Sequence, residues 1–186
     1  MRIFKFIDDM SNVRRWSHAY CHKEESVLEH TAVVAIMALS IGQAEGADMG
    51  VLLERALLHD MEETITGDIP TPTKYHNPRI TKEIQAFEAI AASEVADMYF
   101  GDWAKYLWST AKDKTLEGEI IRICDAGAVV YKIEQEMALG NKAFGQYSEN
   151  VWNALLNIKN GLANDCLVTY VHELMDITLG ANREDT

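Results

Sequence analysis

No stretch of this 186-residue chain alternates apolar and polar side chains as a half-buried strand must. Apolar residues instead recur at three- and four-residue intervals almost from end to end, the spacing of helices that bury one stripe. The spacing predicts helices over Ile3 to Met10, Ser26 to Gly42, Met49 to Glu63, Ile80 to Tyr99, Trp103 to Ala111, Leu116 to Leu139 and Gln146 to Leu179. Ser26 and Glu29 stand as a capping box ahead of the second. Gly140 and Asn141 close the sixth, and Asn160-Gly161 break the last. All three prolines fall between Thr66 and Arg79, which reads as a long loop. Alanine and leucine are common, clusters of β-branched residues are few, and the length suits one domain. The expectation is a single all-α domain of stacked antiparallel helices covering residues 1–186.

Four ionisable residues interrupt the apolar stripes. His30 follows Val27 by three positions and precedes Val33, Val34 and Met37 by three, four and seven. His59 and Asp60 close the stripe of Leu52, Leu53, Ala56 and Leu57, and Asp125 lies midway between Ile121 and Val129. One such residue has an ordinary explanation: a core histidine with one hydrogen bond, or an aspartate paired with Arg122 or Lys132. Two imidazoles and two carboxylates in one core offer a mixed nitrogen and oxygen shell for a divalent transition metal, because a buried ion must be paired or coordinated. Glu63, four residues after His59 and three after Asp60, projects beside both and suits general acid–base work. Glu62 fits less well. The run Glu24-Glu25 reads as a solvated helix start, Trp103, Tyr106 and Trp108 as core or interface packing, and the methionines as core filler.

The order His30, His59-Asp60, Asp125 resembles the signature of the HD phosphohydrolases. The words around it, VLEHT (27–31), ALLHDMEE (56–63) and GDIPTP (67–72), look like the bacterial 5′-deoxynucleotidase branch. Arg15-Trp16, fourteen residues before His30, and Tyr131-Lys132 after Asp125 fit the same branch. The resemblance implies a single HD-type helical bundle that uses one divalent metal, Co²⁺, Mn²⁺ or Zn²⁺, held by His30, His59, Asp60 and Asp125. It further implies that Glu63 handles the attacking water and Asp68 supports the sugar or the catalytic group. Arg15 would grip phosphate, and Trp16 would pack on the nucleoside and help exclude a 2′-hydroxyl. His18 and Lys74 are additional candidates for substrate contact. The segment between Trp16 and His30 departs from the branch, and its His18, Tyr20, His22 and Lys23 would also suit a longer phosphate chain. Two alternatives therefore accompany 5′-deoxynucleotidase activity: a dNTP triphosphohydrolase of the phage dATP type, and a sensor that binds nucleotide without turnover.

Composition narrows the partners. A net charge of −12 and the lack of a Lys/Arg stripe disfavour a nucleic-acid polymer, yet leave a small anionic deoxynucleotide open if a bound cation concentrates positive charge. Three cysteines without a CxxC pair suit a reducing compartment. The longest apolar run, Ala32 to Ile41, is about half of the ~20 residues a membrane span needs. A cytoplasmic protein without membrane association is the expectation, and the branch implies a homodimer or larger homo-oligomer.

Overall fold

The computed structural model describes residues 1–181, and its regular structure is helical throughout. In chain order the helices are α1 (Arg2–Asn12), α2 (Val27–Glu45), α3 (Met49–Leu58), α4 (Glu63–Thr66), α5 (Thr71–Lys74), α6 (Pro78–Tyr99), α7 (Asp102–Thr110), α8 (Leu116–Ala138), α9 (Ser148–Asn160) and α10 (Val168–Ala181). The capping box closes as expected. The Ser26 N–H donates to Glu29 Oε2 at 2.8 Å, and the Glu29 N–H donates to Ser26 Oγ at 3.2 Å, which fixes where α2 begins.

Three boundaries differ from the sequence reading. Helix α2 runs past Gly42 to Glu45 and stops at Gly46 (φ 70°), because Gly42 is a packing residue whose missing side chain leaves room for Leu52. Helix α3 ends at Leu58 rather than Glu63. Beyond it the backbone tightens to three-residue hydrogen bonds, Met61 N–H to Leu58 O at 3.2 Å and Glu63 N–H to Asp60 O at 3.2 Å. In the proline-rich segment, Pro70 and Pro72 start the short helix α5, and the Asn77 side chain caps α6 through the N–H groups of Arg79 and Ile80.

The chain divides into two units. The first comprises Met1–Ala32 and Leu57–Thr110. Its core gathers Phe6 and Met10 of α1, Val27, Leu58, Met61, the small face of α6 (Ala92, Val95, Ala96) and Ala104 and Leu107 of α7. The second comprises Val33–Ala56 and Ala111–Thr186, with α8, α9 and α10 packed on one another. Helix α2 is long and apolar enough to cross a bilayer by length and composition, but Val27, His30, Thr31, Val34 and Ala38 are buried in protein, as in a core helix.

Buried charge braces the second unit. Lys132 Nζ donates to Glu136 Oε1 at 2.7 Å, and Asn141 Nδ2 to Glu136 Oε2 at 2.8 Å, so Asn141 is part of a buried network as well as following a helix end. Glu119 accepts from the N–H groups of Ala163 (2.8 Å) and Asn164 (3.0 Å) and from Asn164 Nδ2 (2.8 Å), tying the break between α9 and α10 to α8. Glu119→Ala would strand those donors inside the protein. It is expected to cost roughly 3 kcal/mol in urea unfolding; a change below about 1 kcal/mol would show the tie is not stabilising.

Candidate metal centre

The first unit brings together residues that are far apart in sequence. His30 sits one turn into α2, on its buried face and 1% exposed. His59 and Asp60 sit in the tight turn after α3. Leu52 and Ala56 precede His59 along the buried stripe, whereas Leu57 faces outward. The turn sets Asp60 Oδ2 at 3.1 Å from His59 Nε2 and 3.5 Å from His30 Nε2, and the two imidazole centroids are 5.5 Å apart.

Arg15 enters this cluster from the loop after α1. Its Nη1 lies 3.5 Å from Asp60 Oδ2, 3.6 Å from Glu63 Oε2 and 3.6 Å from Asp68 Oδ1, while its Nε lies 3.8 Å from Glu25 Oε2. Four carboxylates thus surround one guanidinium in a part-buried site. Burial, then the charge of Asp60, push Glu63 up to about 10, with Arg15 pulling the other way. Glu63 Oε2 is buried and accepts no hydrogen bond among the described residues. Glu62 is buried too, pushed up to about 8 by burial and by Asp60, and the Trp108 indole N–H donates to it at 2.6 Å.

Trp16 adopts φ 63°, a left-handed backbone that a bulky side chain rarely takes. Its N–H donates to Asp68 Oδ2 at 3.1 Å and its indole Nε1 to Glu25 Oε2 at 2.8 Å. The exposed His18 ring stacks on it with centroids 6.0 Å apart. Lys74 is committed elsewhere in this unit, its Nζ lying 2.7 Å from Glu88 Oε1.

Asp125 belongs to the second unit. It is half-buried on α8 with its Oδ2 2.6 Å from Lys112 Nζ, where the sequence suggests Arg122 or Lys132. Those two cations have other partners: Arg122 Nη2 donates to Asp113 O at 2.8 Å, and Lys132 to Glu136.

Two acids have buried partners that local spacing does not reveal. Glu25 is only 8% exposed, its carboxylate turned onto Trp16 and Arg15, while Glu24 beside it is exposed and pairs with Arg14 at 3.2 Å. Glu62, ranked below Glu63 by spacing, is held by Trp108, a residue expected only to pack. Trp103 and Tyr106, from the same aromatic group, are exposed. For Glu25 the one local hint is its place next to the capping serine; for Glu62 no local signal exists, since Trp108 is 46 residues away.

The donor set fits a metal ion. Within this unit His30, His59 and Asp60 offer two imidazole nitrogens and a carboxylate oxygen within 4.8 Å of one another, and the Asp68 and Glu25 carboxylates add more negative charge than Arg15 alone neutralises.

A family model described as 5′-deoxynucleotidase YfbR-like matches residues 2–174. The chain is 32% identical over 153 residues to a 5′-deoxynucleotidase of Vibrio cholerae, covering 77% of this chain and 78% of that protein. It is 32% identical over 152 residues to the 5′-deoxynucleotidase YfbR of Salmonella newport, covering 76% of each. An HD-domain phosphohydrolase structure from Listeria innocua superposes with a TM-score of 0.71 at 25% identity, over 98% of both chains. The fold is also that of the cyanophage S-2L HD phosphohydrolase (DatZ) bound to dA and one catalytic Zn²⁺ ion. That match has a TM-score of 0.60 at 19% identity and covers 98% of this chain and 96% of that one.

Proposed function

Because the chain belongs to the YfbR-like family of 5′-deoxynucleotidases, we propose that it hydrolyses the 5′-phosphoester of 2′-deoxyribonucleoside monophosphates to deoxynucleoside and phosphate. It is a metal-dependent HD phosphohydrolase. The observation that carries the reading is the clustering of His30, His59 and Asp60 beside an arginine and a buried glutamate in one unit.

His30, His59 and Asp60 would hold one divalent metal, with Asp125 as the fourth ligand on the strength of the sequence motif. When bound, the ion supplies Lewis acidity toward a phosphoryl oxygen and lowers the pKa of water. Arg15 presents its guanidinium to the phosphate, a geometry that matches two oxygens at once, and is already aimed inward by four carboxylates. Glu63 takes the proton from the water that attacks phosphorus; the bond from phosphorus to the 5′-oxygen breaks, and the departing alkoxide is protonated. Asp68 holds the Trp16 backbone and Arg15, supporting both substrate contacts. Trp16 packs against the nucleoside where a 2′-hydroxyl would crowd it. His18 and Lys74 stand as outer substrate contacts, Lys74 having first to loosen its Glu88 pair.

The same reading carries a cytoplasmic setting and a homodimeric or larger assembly. A second reading, release of triphosphate from dATP, draws on the exposed His18, His22 and Lys23 in the loop before α2.

The test is a product assay on the protein with Co²⁺, Mn²⁺ or Zn²⁺, offering dAMP, dATP, AMP and ATP and resolving phosphate from triphosphate. Phosphate from dAMP with AMP spared is the expected result. Intact triphosphate from dATP with dAMP untouched would favour the second reading, and no turnover of any substrate by metal-loaded protein would favour a sensor.

A further inference from the structure

We infer that Glu25 is a positioning residue that sets the orientation of both Trp16 and Arg15 and thereby the discrimination between deoxyribo- and ribonucleotides. The inference rests on the phosphohydrolase reading above.

The loop carrying Arg15 and Trp16 is closed at its base by backbone pairing. The Arg15 N–H donates to Glu25 O at 2.9 Å, the Val27 N–H to Val13 O at 3.0 Å, and Arg14 and Ser26 form an antiparallel bridge. This clip puts Glu25 directly across from Arg15. Its side chain then turns inward, although a glutamate at a helix start is ordinarily solvated. Burying a carboxylate costs several kcal/mol unless it is paired and hydrogen-bonded, so an inward Glu25 needs partners. One oxygen, Oε2, meets the indole N–H of Trp16 at 2.8 Å and lies 3.8 Å from Arg15 Nε.

The two contacts do different things. Trp16 has a left-handed backbone, a strained conformation for a non-glycine residue that persists only where surrounding bonds hold it. Its N–H is tied to Asp68, and Glu25 ties the other end, the indole. Two anchored ends leave the ring little freedom to swing. On Arg15, Glu25 faces Nε, whereas Asp60, Glu63 and Asp68 lie on the Nη1 side. A carboxylate 3.8 Å from Nε, an ion-pair rather than a hydrogen-bond distance, draws that edge of the guanidinium toward Glu25 and so biases which nitrogens face the phosphate. Glu25 touches neither metal ligand nor the proposed path of the proton, and it acts through the two residues it holds.

The experiment compares Glu25→Ala and Glu25→Gln with wild type. Both are loaded with Co²⁺ and checked for equal metal content, and kcat and KM are measured for dAMP and AMP. The Trp16 indole N–H resonance, assigned by its loss in Trp16→Phe, is followed in parallel. Glu25→Ala is expected to raise KM for dAMP about tenfold, to lower the dAMP-to-AMP ratio of kcat/KM about tenfold, and to speed exchange of the indole proton. Glu25→Gln keeps an acceptor for the indole and is expected to restore the ratio and the slow exchange, while KM stays raised because Arg15 has lost the carboxylate on its Nε side. A merely structural role would lower the active fraction, scaling kcat for both substrates alike and leaving KM and the ratio unmoved; that outcome overturns the inference. If wild type hydrolyses no deoxynucleotide, the functional reading fails. Glu25 is then judged by the indole resonance, and unchanged exchange in Glu25→Gln and Glu25→Ala overturns the positioning role by itself. If Glu25→Ala does not fold, Glu25→Gln decides through KM: an unchanged value sinks the contact with Arg15.

Discussion

Glu63→Ala is expected to lower kcat for dAMP by about 10²–10⁴-fold while the protein keeps its metal, the usual contribution of a positioned proton acceptor. Helix α3 stops at Leu58, and the three-residue hydrogen bonds that follow bring Glu63 to the start of α4, with its Oε2 3.6 Å from Arg15 Nη1. That oxygen is buried and accepts no hydrogen bond among the described residues, so its one polar neighbour of opposite charge is the Arg15 guanidinium. Burial and the Asp60 carboxylate raise it to about 10, which by itself favours the protonated form at neutral pH. A cation bound by His30, His59 and Asp60 would act in the opposite sense and favour the carboxylate form needed to accept a proton from water. A base of this kind is required only as the transition state is approached, so kcat should fall with KM for dAMP nearly unchanged. Metal content measured alongside activity makes the result decisive: normal turnover in a metal-loaded variant would remove Glu63 from the mechanism.

His59→Ala is expected to abolish tight metal binding and, with it, detectable hydrolysis. A truncated imidazole removes one donor from the set, and the ion's affinity depends on the number and geometry of its ligands. The variant also leaves Asp60 without its 3.1 Å neighbour, so some loss of stability is expected in addition. The two effects separate experimentally. Elemental analysis reports the metal, thermal unfolding reports the fold, and excess Co²⁺ should rescue activity only if affinity, not folding, was lost. Asp125→Ala tests the fourth ligand in the same way, and a fully metallated, active Asp125 variant would confine the site to the first unit.

Much of this was legible in the residues alone, wherever the relevant geometry is local. A helix repeats every 3.6 residues, so the buried faces of His30 and His59 follow from neighbours three, four and seven positions away. The Ser26–Glu29 box, the break at Asn160-Gly161 and the closure at Gly140 are likewise written within a few residues, and the structure has all three. Tertiary contacts decided the rest. Gly42 looked like a helix end because glycine ends helices; it continues one because Leu52 fills its space. The end of α3 at Leu58, five residues short of the expected end at Glu63, sets where Glu63 stands. Glu25 looked solvated because two adjacent glutamates usually are, and only the pairing of the 13–15 and 25–27 backbones turns one inward and leaves the other out. Trp16 meets Asp68 across 52 positions and Glu62 meets Trp108 across 46. No periodicity encodes such meetings, because a hydrogen bond across a loop depends on where the whole chain has already carried its two ends. The chemistry of the ligands was therefore a property of sequence, while the orientation of the residues that would select the substrate was a property of the fold.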